Sequence, residues 1–146
     1  MKTIKVDDWS EVPNDYTGIA ENLDGDKHWY LNGKYHREDG PAIEHTDGTK
    51  QWCLDGKIHR EDGPAIVFPN GNKSWWLNGK LHRVDGPAVE RANVIKEWFL
   101  NGKQHRIDGP AIELANGEKV YFINGKEVTK EAQEILYAMY KLKGII

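Results

Sequence analysis

The chain has 146 residues, of which 38% are hydrophobic, and a formal net charge of −3. This slightly acidic balance argues against partners that attract a protein through bulk positive charge, such as nucleic acid or an anionic membrane. The only cysteine, Cys53, excludes a disulfide framework and a thiolate metal cluster. No apolar run reaches membrane-spanning length or resembles a signal peptide, so we expect a soluble cytoplasmic protein.

Residues 1–18 match no other part of the chain, and we expect them to form an N-terminal cap. The apolar residues Ile4, Val6 and Trp9 would cover the exposed edge of a sheet. Residues 20–27 then align with residues 43–50, which indicates a half repeat before the first full one.

Residues 19–128 form a repeat array with a period of 23 residues. The heptapeptide His-Arg-x-Asp-Gly-Pro-Ala begins at His36, His59, His82 and His105. An aromatic residue recurs in the same step, at Trp29, Trp52, Trp75, Trp98 and Tyr121. A fixed short period predicts a stack of identical supersecondary units, each too small to bury a core alone.

Thirteen of the fifteen glycines follow Asp or Asn, which is the strongest local signal of a two-residue hairpin turn. Asp-Gly-Pro indicates a bulge or corner, because proline cannot donate to a sheet ladder. Each repeat therefore has a short strand, a tight turn, a long kinked strand and a second turn, which lies around Asn93 in one repeat. We predict an all-β fold: an elongated, twisted antiparallel β-meander of 23-residue hairpin repeats with a C-terminal capping α-helix.

Alternation along the strands divides the side chains between two faces. The Trp face carries the periodic aromatic residues. It also carries Ile43, Ile66, Val89 and Ile112 if the Asp-Gly-Pro corner shifts the register by one residue, as we expect. The variable face carries cross-turn pairs that change between repeats: Tyr30/Tyr35, Cys53/Ile58, Trp76/Leu81, Phe99/Gln104 and Phe122/Glu127.

Residues 129–146 carry the signals of a helix. Thr129 is suited to cap its N-terminus, and Lys141 and Lys143 suit its last turn. The apolar residues fall on one stripe at helical spacing, namely Ala132, Ile135, Leu136 and Met139. We expect this helix to cap the array, and a docking helix for a partner is the alternative.

The pattern Trp-x-Leu-Asn-Gly-Lys-x-His with an Asp-Gly turn resembles the MORN repeat. The His-Arg-x-Asp-Gly-Pro-Ala version, entered by residues 13–18, is similar to repeat proteins of bacteriophages and bacteria that are mostly uncharacterised. The resemblance covers residues 13–128. It implies a scaffold, a dimerisation surface or a partner-binding platform, and in a phage a protein that binds, or binds and blocks, a host factor or a signal molecule. Arg-x-Asp-Gly-Pro-Ala replaces the Gly-x-Gly pair of MORN repeats, so their lipid binding does not transfer.

The repeated His-x-x-Asp pattern raises the question of catalysis or metal binding. A catalytic group works at one place with tuned surroundings, whereas each repeat offers the same pair and no matching nucleophile. Histidines of successive repeats would also lie about 10 Å apart, too far to share a metal ion. We expect each Asp to cap its own turn, each Arg to reach a carboxylate of the next repeat, and each His to pack on its Trp. No catalytic residue, metal or cofactor is predicted, and the protein is expected not to be an enzyme.

Residues that depart from the repeat predict a protein-binding surface, because large exposed apolar patches usually mark interfaces. Val84 and Ile107 replace Glu38 and Glu61, which makes the C-terminal half more apolar. The predicted partner-binding residues are Trp76, Phe99, Phe122, Leu81, Tyr30, Tyr35 and Phe68. An open sheet with apolar residues on both faces also favours a homodimer. The alternative is that the C-terminal helix covers this patch, or that the sheet closes on it.

A protein that sequesters a small anionic ligand, such as a nucleotide signal, is the second functional hypothesis. The ligand would lie between aromatic faces and bind Lys80, Lys103, Arg83 and Arg106. Nucleic acid is less well supported, because the carboxylates recur as regularly as the lysines.

Overall fold

A computed structural model describes residues 1–92 and 94–146, so Asn93, at the centre of one predicted turn, lies outside the described residues. The chain forms short β-strands and a C-terminal α-helix, which confirms the predicted fold class. The strands divide between two compact units, residues 1–80 and residues 81–146.

The first unit is a β-meander with the strand order β1-β2-β3-β5-β6-β9-β10. Its strands are β1 (Thr3–Lys5), β2 (Gly18–Glu21), β3 (Lys27–Leu31), β4 (Lys34–Tyr35), β5 (Ile43–Glu44), β6 (Lys50–Gln51), β7 (Cys53–Leu54), β8 (Lys57–Ile58), β9 (Ile66–Val67), β10 (Lys73–Ser74) and β11 (Trp76–Leu77). Neighbouring strands are antiparallel, except that β1 pairs parallel with β2. The strand β12 (Lys80–Leu81) falls at the boundary between the units.

The second unit has the strand order β13-β14-β17-β18-β19. Its elements are β13 (Val89–Arg91), β14 (Ile95–Glu97), β15 (Phe99–Leu100), β16 (Lys103–Gln104), β17 (Ile112–Glu113), β18 (Lys119–Ile123), β19 (Lys126–Val128) and α1 (Lys130–Leu142). Glu90, Lys96, Glu113 and Lys119 lie opposite one another on successive strands. This alternation of charge helps to fix the register, because like charges directly opposite each other are destabilising.

The hairpin turns have the predicted geometry. Asn32 and Gly33 have φ values of 49° and 74°, and Asp55 and Gly56 have 50° and 78°. Both positions of the turn are therefore left-handed, as a type I′ turn requires. The register that follows, with Tyr30 opposite Tyr35 and Cys53 opposite Ile58, also agrees with the prediction.

The Asp-Gly-Pro corner does not shift the register, so the predicted position of the isoleucines is wrong. Ile43 lies opposite His28 and Gln51, and these residues precede Trp29 and Trp52 by one position. The isoleucine therefore shares the variable face. The Trp face instead receives Ala42, whose carbonyl accepts a hydrogen bond of 2.8 Å from the Trp29 N–H.

The variable face of the first unit is the inside of its core. Ile43, Cys53 and Tyr30 are at most 8% exposed. The N-terminal segment closes one end of this core, because Trp9 stacks on the His28 ring at a centroid distance of 3.5 Å. Trp9 belongs to a 3₁₀-helix, Trp9–Glu11, which Asp8 caps.

His28 is buried at 4% exposure, and its Nε2 atom has no hydrogen-bond partner among the described residues. Burial lowers the pKa of His28 from 6.5 to about 4, so the neutral ring is the form that packs in the core. Close by, His45 binds the Asp26 carboxylate at 2.9 Å. That hydrogen bond is the main reason why the pKa of Asp26 is lowered to about 2.

The helix α1 begins after Thr129, whose side chain accepts a hydrogen bond from the Ala132 N–H, as predicted. The side chains that it turns towards the second unit are Gln133, which is 4% exposed, and the half-buried Leu136, Tyr137 and Tyr140. The predicted apolar stripe is thus split, since Ile135 and Met139 remain 63% and 44% exposed.

Acid is expected to destabilise the protein through His28. A histidine with a lowered folded pKa binds fewer protons when folded, so stability falls as the pH drops from 6.5 towards 4. His28→Gln, which introduces the residue found at the equivalent position 51, should reduce the loss between these pH values by roughly 2–3 kcal/mol. Urea unfolding at several pH values measures this difference, and parallel pH profiles for the two proteins would contradict it.

Candidate binding site

In three heptapeptides the guanidinium of the arginine lies over the tryptophan ring of its own repeat. The guanidinium carbon of Arg37 is 4.2 Å from the centroid of the Trp29 ring. Arg60 and Arg106 lie 4.0 Å from Trp52 and Trp98. This geometry is a cation–π contact in which the charged group also covers apolar surface.

Hydrogen bonds hold the guanidinium of Arg37 in this position. Its Nε atom donates to Asp39 at 2.8 Å, and one terminal nitrogen contacts the carbonyl of Pro41 at 3.2 Å and the carboxylate of Glu44 at 3.1 Å. All of these partners belong to the same repeat. The prediction that each arginine reaches the next repeat is therefore wrong, and the aspartate binds the arginine side chain.

The heptapeptide has a glycine at Gly40 because of the space available there. Its φ is not left-handed, so backbone conformation is not the reason. A Cβ atom added there would lie 2.9 Å from the guanidinium carbon of Arg37. The arginine is therefore packed between an aromatic ring and the glycine backbone. On the Trp face, Ala42 is 0% exposed, so a small side chain fills the position paired with Trp29.

The histidines join successive repeats. The Nδ1 atom of His36 accepts a hydrogen bond from the Asp55 N–H at 3.1 Å, and His59 accepts one from Asn78 in the same way. In the second unit, His82 and His105 accept from Asn101 and Asn124. Each bond satisfies the first amide of a turn whose left-handed backbone leaves that amide without a ladder partner.

The N-terminal segment makes equivalent hydrogen bonds to the first repeat, with a threonine in place of the histidine. The Oγ1 atom of Thr17 accepts a hydrogen bond of 2.9 Å from the Asn32 N–H, where the next repeat uses His36. The Tyr16 carbonyl likewise accepts from Gly33, as the Tyr35 carbonyl accepts from Gly56. The cap thus provides the first repeat with both bonds that a preceding repeat would supply.

These contacts give the His-Arg-x-Asp pattern a structural use in each repeat. Among the described residues, no group of three or more His, Cys, Asp and Glu side chains is arranged to hold a metal ion. Cys53 is 1% exposed, and burial raises the pKa of its thiol. A raised pKa keeps the thiol protonated and less nucleophilic.

The two arginines of the anionic-ligand hypothesis already have carboxylate partners. Arg83 binds Asp85 and Glu90, each at 3.0 Å, and Arg106 binds Asp108 at 2.9 Å and Glu113 at 3.2 Å. Both guanidiniums are thus engaged with carboxylates of their own repeats. The Lys80 and Lys103 side chains are exposed at the residues that leave the turns.

The predicted partner-binding residues fall into three groups by exposure. Tyr30 is 8% exposed and packs with Tyr16 in the core, which removes it from the accessible surface. Phe68 is 42% exposed at a turn. The remaining residues are half-buried, namely Tyr35, Trp76, Leu81, Phe99 and Phe122. The variable face therefore offers less apolar surface than the sequence suggested.

The Trp face carries clefts that sequence reasoning missed. In the second unit, a cleft of about 710 Å³ lies between the corners at residues 83–87 and 105–108. Trp98 and Leu100 line it, together with Val84 on one corner and Ile107 on the other. Tyr140, Ile145 and Ile146 extend this apolar lining from the C-terminal segment, and Val84 is 83% exposed.

The matching cleft of the first unit has equivalent Trp, Leu and corner residues, no lining from the C-terminal segment, and a different rim. It measures about 590 Å³ and is lined by Trp52, Leu54 and the corners at residues 37–41 and 59–62. Glu38 and Glu61 occupy the positions of Val84 and Ile107, and their side chains are 87% and 84% exposed. The substitution of valine and isoleucine for glutamate was visible in the sequence, but its position beside a cleft was not.

No protein-family model matches the chain, and no curated protein is similar enough to count as a relative. Among the described residues, no helix has the length and hydrophobicity needed to cross a membrane.

Gly40→Ala should destabilise the first unit by about 1–3 kcal/mol, because the new methyl group overpacks against the guanidinium of Arg37. In an Arg37→Ala background, the same substitution should cost less than about 0.5 kcal/mol, since the group that it meets has been removed. Denaturant unfolding of the four proteins gives the coupling. Equal costs in both backgrounds would show that the contact does not constrain the corner.

His59→Ala should lower the free energy of unfolding by about 1–3 kcal/mol, because the Asn78 amide loses its acceptor. Glu61→Ala is the matched control, with a side chain 84% exposed two residues away, and should change stability by less than about 0.5 kcal/mol. Hydrogen exchange should also become faster at the Asn78 amide. A variant as stable as the control would show that the junction does not depend on this bond.

Proposed function

We propose that this chain is a non-enzymatic binding protein that engages a protein partner through the cleft on the Trp face of its second unit. The exposed Val84 beside Trp98 carries the proposal, because an apolar side chain 83% exposed at the mouth of a cleft is available to a partner. Aromatic anchors in pockets dominate the energetics of many protein interfaces.

The chemistry of the cleft supports a partner segment with an apolar anchor. Its wall has an aromatic ring and aliphatic side chains, whereas Arg83 and Arg106 at its corners are already bound to carboxylates. A small anion would have to compete with those carboxylates. A peptide could instead place an aliphatic or aromatic side chain between Val84 and Ile107.

The resemblance to MORN-type arrays supports the same class of function, since such arrays act as partner-binding platforms. Inhibition of a host factor by a phage protein would be one use of this platform. The repeated His-x-x-Asp pattern adds no enzymatic role to the proposal, because its side chains already have structural partners in successive repeats.

Selection of a random displayed-peptide library on the immobilised full chain tests the proposal. We expect the selected peptides to carry an apolar anchor and Val84→Glu to weaken their binding roughly tenfold or more. Val84→Glu introduces the residue that the first two repeats carry at this position, so the variant is expected to fold. Glu61→Gln at the other cleft is the matched control and should bind normally.

The double variant Trp76→Ala plus Phe99→Ala separates the two candidate surfaces. Peptides that bind the cleft should bind this variant as they bind the native chain. If the double variant loses binding while Val84→Glu keeps it, the variable face is the binding surface and the cleft proposal is wrong. A native mass spectrum with a constant added mass would instead support the sequestering hypothesis.

A further inference from the structure

The return segment, residues 144–146, turns the chain back from the end of α1 onto the cleft of the second unit. Gly144 has a left-handed φ of 65°. Its N–H donates to the Lys141 carbonyl at 3.1 Å, and the Ile145 N–H donates to the Tyr140 carbonyl at 3.0 Å. These two bonds form a Schellman motif, in which the residue after the glycine commonly contacts an apolar residue of the last turn. Ile145 and Tyr140 hold these two positions, and both line the cleft.

The beginning of α1 is attached to a wall of the same cleft. The Gln133 side-chain amide donates a hydrogen bond to the Ile107 carbonyl, and Ile107 belongs to the corner that forms this wall. Gln133 is 4% exposed, so the bond lies inside the protein. The helix is therefore fixed to the wall near its first turn, and its last turn brings the return segment to the cleft.

The return segment and the rim of this cleft match in chemistry. Ile145 and Ile146 line the cleft that has Val84 and Ile107 on its two corners. In the first unit, where glutamates hold the two corner positions, the lining of the cleft comes from the repeats alone. The apolar rim thus occurs at the cleft that an apolar segment of the same chain reaches.

We propose that Ile145 and Ile146 are an internal ligand of this cleft, which a protein partner must displace. The inference rests on the proposed function of the cleft and states how that function is regulated. The two side chains remain 59% and 54% exposed, so their contact buries little apolar area and can open. Because the partner binds the open form, the internal ligand raises the apparent dissociation constant by the inverse of the open fraction.

Gly144→Ala tests this displacement without adding a contact. A Cβ atom at this position meets nothing within 4 Å, so the change acts through the cost of a left-handed φ for alanine. Calorimetric titration with peptides selected on the full chain should show binding that is roughly threefold to tenfold tighter. Gly117→Ala is the matched control, because Gly117 has a φ of 86°, an equally empty surrounding and no part in the cleft lining. It should bind the peptides as the native chain does.

A second variant, Ile145→Ser plus Ile146→Ser, removes the internal ligand and keeps Gly144. It should tighten peptide binding by a similar factor. Weaker binding would show that the two isoleucines belong to the partner site, and would overturn the proposal.

Val84→Glu separates this inference from the proposed function. If Val84→Glu weakens peptide binding but neither Gly144→Ala nor the double variant tightens it, the cleft binds partners and the internal ligand is wrong. If Val84→Glu leaves peptide binding unchanged, the proposed function is wrong, and the regulation inferred from it is wrong as well.

Discussion

The geometry of the repeat depends on a guanidinium that lies over a tryptophan ring, as it does at Arg37, Arg60 and Arg106. In the first full repeat, Arg37 covers Trp29 and binds Asp39 and Glu44 while Gly40 packs against it. Aromatic contact, charge pairing and backbone packing thus meet at one planar group, which lysine could not replace. The side chains of Arg, Asp and Gly in the heptapeptide all take part in this contact, whereas the residue between Arg and Asp does not and can vary. That residue determines whether a cleft has an acidic or an apolar rim.

The regular part of the structure follows from the sequence. The 23-residue period, the Asn-Gly and Asp-Gly turns and the Thr129 cap are local features, and each has a specific backbone requirement that the structure meets. The face of the sheet on which Ile43 lies could not be predicted from its neighbours in sequence. It depended on the conformation of Asp-Gly-Pro, and the side-chain bonds of Arg37 hold that corner in a shape that keeps the simple alternation.

Burial was harder to predict than pairing, because it depends on segments that the repeat does not contain. Tyr30 has the features of an exposed aromatic residue, but the N-terminal segment packs Tyr16 against it and Trp9 against its neighbour His28. In the helix, Gln133 faces inwards because its amide reaches the Ile107 carbonyl, whereas Ile135 is left outside. From hydrophobicity alone, Ile135 would be expected to be buried and Gln133 to be exposed.

The junction made by Thr17 has a consequence for how such a chain can change in length. The first repeat receives from the N-terminal segment the same two bonds that it gives to the second repeat, through His36 and the Tyr35 carbonyl. A duplicated block of 23 residues inserted between them would meet matching partners on both sides. Unequal recombination could therefore lengthen the array without altering its ends. Each added block would bring another corner, and the single residue between Arg and Asp would determine whether the rim there is acidic or apolar.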